Sequence, residues 1–260
     1  MSDRHLELSV DGPVAEITLC RPERRNAIGT ALLGELGAAL EAIRADGSVR
    51  ALVVAGSGPV FSAGADIAEM TAMGGRDDFR RFLELIQSTF GALERLAVPT
   101  IAAMGGPAFG GGCELALACD LRLLAEGAAL GVPEVKIGAL PGAGGSQRLA
   151  HALPPAIARR MILLGDPLPA EDCLRYGLVN AVVPADTVLD TARDWARRLA
   201  ALPPLAVQAG KTLAYLAQNA DLASGMEAER LTVTSLFDTA DRAEGMQAFL
   251  EKRSPTFTGR

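Results

Sequence analysis

Histidine is almost absent from this sequence of 260 residues: His5 and His151 are the only two. That scarcity argues against a histidine-rich metal centre and leaves a Ser-His-Asp triad little to draw on, so no metal is expected. Lysine is equally scarce, with Lys136, Lys211 and Lys252 the whole complement, and Lys plus Arg total 25 against 31 Asp plus Glu. A formal charge of −6 lacks the basic face of a general nucleic-acid binder. A phosphate-bearing ligand must then be held by local groups rather than by the field of the whole chain. The four cysteines, Cys20, Cys113, Cys119 and Cys173, form no CxxC pair, which argues against a disulfide framework and for a reducing, cytoplasmic setting. No stretch approaches the roughly 20 uninterrupted apolar residues of a membrane span. Residues 1–5 hold no apolar core, so no secretory signal is expected.

Familiar motifs are missing as well. Gly210-Lys211-Thr212 imitates the end of a P-loop, but Leu205 stands where its first glycine belongs. No GxGxxG joins a strand to a helix. Gly144-Gly145-Ser146-Gln147-Arg148 misses the hydrolase elbow because Arg148 replaces the last glycine. His151 reads as a helix-surface residue.

What is present is material for a core: 49% hydrophobic and 22% charged residues. Residues 5–10 and 14–20 read as two strands about the Asp11-Gly12-Pro13 turn. Leu32, Leu33, Leu36, Leu40 and Ile43 recur at helical spacing over 30–45. The wholly apolar 51–55 suits a strand covered on both faces. Helical spacing returns over 77–96, and strand character over 98–104. That rhythm predicts an α/β domain with a largely parallel sheet. From 154 onward the pattern is helical, interrupted by a possible strand at 179–183. An α/β core over 1–195 followed by a helical region over 196–260, suited to oligomer packing, is therefore expected.

The chemistry concentrates in three glycine-rich segments. They are Phe61-Ser-Ala-Gly-Ala-Asp-Ile67, Phe109-Gly-Gly-Gly-Cys-Glu-Leu115, and Val132-Pro-Glu-Val-Lys-Ile-Gly138 running into Leu140-Pro-Gly-Ala-Gly-Gly145. Peptide N–H groups at a glycine-rich helix start are free to meet a ligand oxygen, and glycine lets that ligand approach. Glu114 and Glu134 sit twenty residues apart beside these donors, where two carboxylates could move protons while amides hold an oxyanion. Read from spacing alone, Glu114 could equally complement a helix dipole, and Glu134 could be a solvated loop residue.

The three segments together resemble the enoyl-CoA hydratase/isomerase (crotonase) family. Arg21-Pro22-Glu23-Arg24-Arg25-Asn26-Ala27 and Phe249-Leu-Glu-Lys-Arg253 bracket them in the right order, so the resemblance covers nearly the whole chain. It implies a crotonase-like spiral of ββα units with a C-terminal helical region, commonly assembled as a homo-trimer or homo-hexamer. It further implies an acyl-CoA thioester substrate and no cofactor, CoA being part of the substrate. Glu114 and Glu134 match the two glutamates that hold and activate water, and the amides of Ala65 and Gly111 match an oxyanion hole. Ala63, Asp66, Ile67 and Ala68 match the stretch along CoA, and Gly142 matches a glycine beside the thioester. One departure is Ala68, where many hydratases carry lysine. Arg24, Arg25 and Lys252 then become the cations expected to meet CoA phosphates. Residues 70–79, with Met73, Gly74 and Gly75, are expected to form a loop and helix shaping the acyl pocket.

The activity so implied is hydration of trans-2-enoyl-CoA to 3-hydroxyacyl-CoA. Isomerases of the family usually lack the Glu114 carboxylate, so Δ3,Δ2-enoyl-CoA isomerisation is the alternative. A non-catalytic CoA- or RNA-binding relative is the reading from a different class.

Overall fold

A computed structural model describes residues 4–260; the first three residues, on which the N-terminal reading partly rests, lie outside it. The chain opens with the hairpin β1 (Leu6–Asp11) and β2 (Val14–Leu19), paired antiparallel across Gly12. Helix α1 (Thr30–Ala45) buries Leu32, Leu33, Leu36, Leu40 and Ile43, the stripe its spacing requires. Strand β3 (Ala51–Gly56) follows, then α2 (Ile67–Ala72), α3 (Arg76–Glu94) and β4 (Thr100–Met104). The glycine-rich middle contributes β5 (Ala108–Phe109), α4 (Gly111–Leu117), β6 (Leu121–Ala125), β7 (Ala129–Gly131) and α5 (Gly145–Ala152). Next come α6 (Pro155–Leu164), β8 (Leu168–Pro169), α7 (Ala170–Arg175) and β9 (Ala181–Val183). Helices α8 (Val188–Ala200), α9 (Pro204–Leu216), α10 (Leu222–Leu236) and α11 (Ala240–Glu251) complete the chain.

Six strands form one sheet in the order β1-β2-β3-β4-β6-β9, parallel from β2 onward. Strands β3 and β4 are buried almost end to end, as strands covered on both faces must be. A second, three-stranded sheet runs β5-β7-β8. Single bridges, Ile28 to Ala65 and Ser62 to Ala108, stitch the connecting loops between the layers. Burial of each large core side chain, Phe61, Phe90 and Leu36 among them, contributes about 1.5–3 kcal/mol.

The boundary expected between 195 and 196 falls inside α8, which packs along β2, β3, β4 and β6. Helix α9 reaches the ends of β4 and β6 through Lys211, which donates to Val98 O and pairs with Asp120; α10 and α11 follow it. Helices α10 and α11 and the link between them present exposed apolar side chains that include Leu222, Met226, Phe237 and Phe249. Among the described residues no helix is long and apolar enough to cross a membrane.

Candidate active site

Three loops meet at one cavity of about 720 Å³. The first is the 62–66 loop, whose shape begins at Asn26. That side chain is fully buried; its amide nitrogen donates to the carbonyls of Ser57 (2.9 Å), Val60 (2.9 Å) and Phe61 (3.1 Å), and its Oδ1 accepts from the Arg21 amide. The Ile28 amide donates to Gly64 O, and the Asp66 amide donates to Ile28 O, so both neighbours of Ala65 are tied down. The Ala65 amide itself donates to nothing among the described residues, and neither does that of Gly111. Gly64 brings the two together: its φ of +103° is open to glycine, and a Cβ there would stand 2.8 Å from Phe109 O and 3.1 Å from the Gly111 nitrogen. A Cβ on Gly111 would in turn lie 3.4 Å from the Ala65 nitrogen. Two unspent N–H groups are thus adjacent on the cavity wall, the arrangement that stabilises negative charge on a ligand oxygen.

Glu114, on α4, lines the same cavity with only 2% of its surface exposed. Its Oε1 accepts from the amides of Ala143 (2.8 Å) and Gly145 (2.7 Å). Burial pushes its carboxyl up to about 7; the Gly145 and Ala143 amides work against that shift, while the charge of Glu134 adds to it. Glu134 lies not in an open loop but in the 3-10 turn Pro133–Ile137. Its Oε2 is buried with no hydrogen-bond partner among the described residues, and burial raises its carboxyl above the usual range. Its Oε1 lies where a Cβ on Gly110 would stand 3.0 Å away. Two carboxyl groups both raised above the usual range and facing one cavity are suited to proton transfer.

The remaining wall is apolar: Ile67, Met70, Phe79, Phe82, Leu83 and Ile86 carry most of it. Among the described residues Lys136 is the one cation lining the cavity, and it pairs with Asp166 at 3.2 Å. Of the other residues singled out by sequence, Ala63, Ile67 and Gly142 line the cavity, whereas Arg24, Asp66, Ala68 and Lys252 do not. The Asp66 carboxylate caps α2 through the amides of Ala68 and Glu69 and meets Arg21 at 3.4 Å. Arg24 and Arg25 are exposed on the turn next to the 62–66 loop, joined to it by the Ala63 amide donating to Arg25 O. Lys252 ends α11, fully on the surface. Met70 and Phe79 reach the cavity; Met73 packs against the core instead. The wall residues of α3 carried no chemical signal in the sequence, since apolar helical spacing reads the same for a core face and a pocket face.

The model of the enoyl-CoA hydratase/isomerase family matches residues 10–260. A probable enoyl-CoA hydratase of Mycobacterium tuberculosis is 41% identical over 96% of both chains. The 2,3-dehydroadipyl-CoA hydratase of Escherichia coli is 40% identical over 94% of both. The crystal structure of an enoyl-CoA hydratase from Bacillus anthracis superposes with a TM-score of 0.95 at 36% identity, covering 99% of this chain and 100% of that one. Fold and sequence together place the chain among crotonase-fold enzymes of acyl-CoA metabolism. It belongs to the enoyl-CoA hydratase/isomerase family.

Proposed function

We propose that this enzyme adds water to trans-2-enoyl-CoA thioesters, forming 3-hydroxyacyl-CoA. One observation carries the reading: the buried Glu114 and the half-buried Glu134, whose Oε2 has no partner among the described residues, face the same cavity as two unspent amides. An isomerase needs a single proton carrier; a hydratase must also position and deprotonate water, which gives the second carboxyl work to do.

In this reading the thioester oxygen accepts from the amides of Ala65 and Gly111. Water bonds to the β-carbon as the C=C π pair shifts towards the thioester oxygen, and the negative charge grows where those donors point. Each such donor contributes about 2.7–4 kcal/mol to the transition state. A carboxylate takes the proton released by water; the other carboxyl delivers a proton to the α-carbon as the enolate collapses. The pair begins and ends with one proton. Two amide donors hold Glu114 through Oε1, and Oε2 of Glu134 has no partner among the described residues, which leaves it free to meet water or substrate. Arg24 and Lys252 are proposed for the CoA phosphates outside the cavity, with residues 66–68 along the path, and the exposed apolar helices α10 and α11 for assembly into trimers or hexamers.

Loss of the enoyl-thioester absorbance of crotonyl-CoA and longer trans-2-enoyl-CoAs tests the reaction. Hydration by the parent, with Glu114→Gln and Glu134→Gln each reduced about 100-fold or more, is expected. Absent hydration, or two fully active variants, would sink the reading. Conversion of trans-3-enoyl-CoA without hydration would establish the isomerase instead.

A further inference from the structure

Arg148, whose side chain stands where a hydrolase elbow would need glycine, turns its guanidinium back on the loop that grips Glu114. Nη1 donates to the carbonyl of Ala143 at 2.9 Å, and Nε donates to Oε2 of Glu94, on α3, at 2.5 Å. Both members of the pair are largely buried, with about a quarter of each side chain exposed. To reach Ala143 the guanidinium crosses directly over Gly144, where any Cβ would collide with Nη1. Helix α3 anchors the same loop a second time, because Gln87 Nε2 donates to Gly142 O at 2.7 Å. The loop's other side is the grip itself, with the amides of Ala143 and Gly145 on Glu114 Oε1. Ala143 therefore receives a hydrogen bond from Arg148 on its carbonyl and gives one to Glu114 from its amide.

We propose that Arg148 is a positioning residue: braced by Glu94, it holds residues 142–145 so that their amides present Glu114 to the cavity and keep its carboxylate accessible at working pH. The inference rests on the proposed acid–base role of Glu114. The charged groups facing Glu114 are Glu134 from the Pro133–Ile137 turn, which opposes its ionisation, and Arg148 from α5, which favours it. Lysine cannot replace arginine here, since one ammonium cannot span Glu94 and Ala143 O in the fixed fork that a guanidinium offers.

The experiment compares the parent with Arg148→Gln, Arg148→Lys and Glu94→Gln. Hydration kinetics across pH 5.5–9 are combined with ¹³C NMR titration of glutamate-labelled protein, the Glu114 carboxyl being assigned by its loss in Glu114→Gln. For Arg148→Gln, kcat is expected to fall roughly 10–100-fold with KM little changed, as for a small misplacement of a catalytic group. The acid limb of the pH profile and the Glu114 titration should move upward together. Arg148→Lys should recover part of the titration shift but not kcat, and Glu94→Gln should move both in the same direction by less. A parent-like Glu114 titration in Arg148→Gln overturns the proposal, as does an equal loss in kcat and KM with an unmoved pH profile. If Arg148→Gln does not fold, Arg148→Lys and Glu94→Gln decide by the same criteria. The NMR titration is read whether or not the parent hydrates crotonyl-CoA, so failure of the proposed reaction remains distinct from failure of the bracing.

Discussion

Replacing Gly145 with alanine asks whether Glu114 acts only from the place where its loop holds it. Gly145 opens α5 without a positive φ, so its backbone accepts alanine; the space does not. A Cβ there would stand 2.9 Å from both Cγ and Oε1 of Glu114 and 3.0 Å from Cβ of Pro141. Carbon contacts relax at about 3.5–4.0 Å, so the carboxylate or the first turn of α5 must shift by roughly 0.6–1.1 Å. Either shift stretches the 2.7 Å and 2.8 Å bonds from the Gly145 and Ala143 amides. Displacement on that scale costs about 100-fold in turnover, whereas the overpacking costs about 1–3 kcal/mol of stability. Hydration kinetics and thermal melting of the same preparation separate the two effects. Gly34→Ala is the control: it lies in α1 with open space around its Cβ, and it should gain about 0.5–1 kcal/mol without touching turnover. A folded Gly145→Ala enzyme with turnover within about threefold of the parent would refute the reasoning.

Further outcomes follow from the same geometry. Glu114 titrates near 7 in the fold against an ordinary value near 4.5, so the unfolded chain loses this proton first and stability declines as pH rises from about 4.5 to 7, by about 3 kcal/mol in all. Glu114→Gln removes that cost, and its melting temperature should gain on the parent between pH 5 and pH 8; a constant gap would contradict the shift. Asn26→Ala strips buried carbonyls of their donor and should cost about 2–4 kcal/mol in chemical denaturation, with a loss below 1 kcal/mol counting against the bracing of the 62–66 loop. Because the wall beyond the glutamates is apolar, trans-2-octenoyl-CoA should exceed an enoyl-CoA of equal length ending in carboxylate by about tenfold or more in kcat/KM. Equal values would mean that Lys136 leaves Asp166 to meet the acid. Sedimentation should find trimers or hexamers, dissociated by charge at Leu231 and Phe249; a parent that sediments as a monomer would remove the proposed role of α10 and α11.

Much of the fold was legible where periodicity spans several turns. The stripe from Leu32 to Ile43 specified α1, and the apolar run at 51–55 specified a strand with both faces covered. Strands β5 and β8 are two residues each and β7 three, too short for alternation to register, and β6 sits in the glycine-rich stretch where no pattern marked it. Their pairing is long-range, so their existence depends on partners that local sequence does not name.

The candidate site divides in the same way. Glycines flanking Glu114 and Glu134 marked both as chemical candidates, and the order of the motifs implied the family. Whether either carboxyl was a solvated surface group was open, because burial is set by what packs around a residue and not by its neighbours in sequence. Only the tertiary structure decided that two glutamates twenty residues apart share one cavity, that Ala65 and Gly111 leave adjacent amides unspent, and that Arg24 and Lys252 stand outside it. Only there does Arg148 reach Glu114 through the loop between them. Residue types and spacing determined what chemistry this chain could carry; the convergence of distant backbone amides on buried charge, a matter of three-dimensional packing, decided where that chemistry is placed.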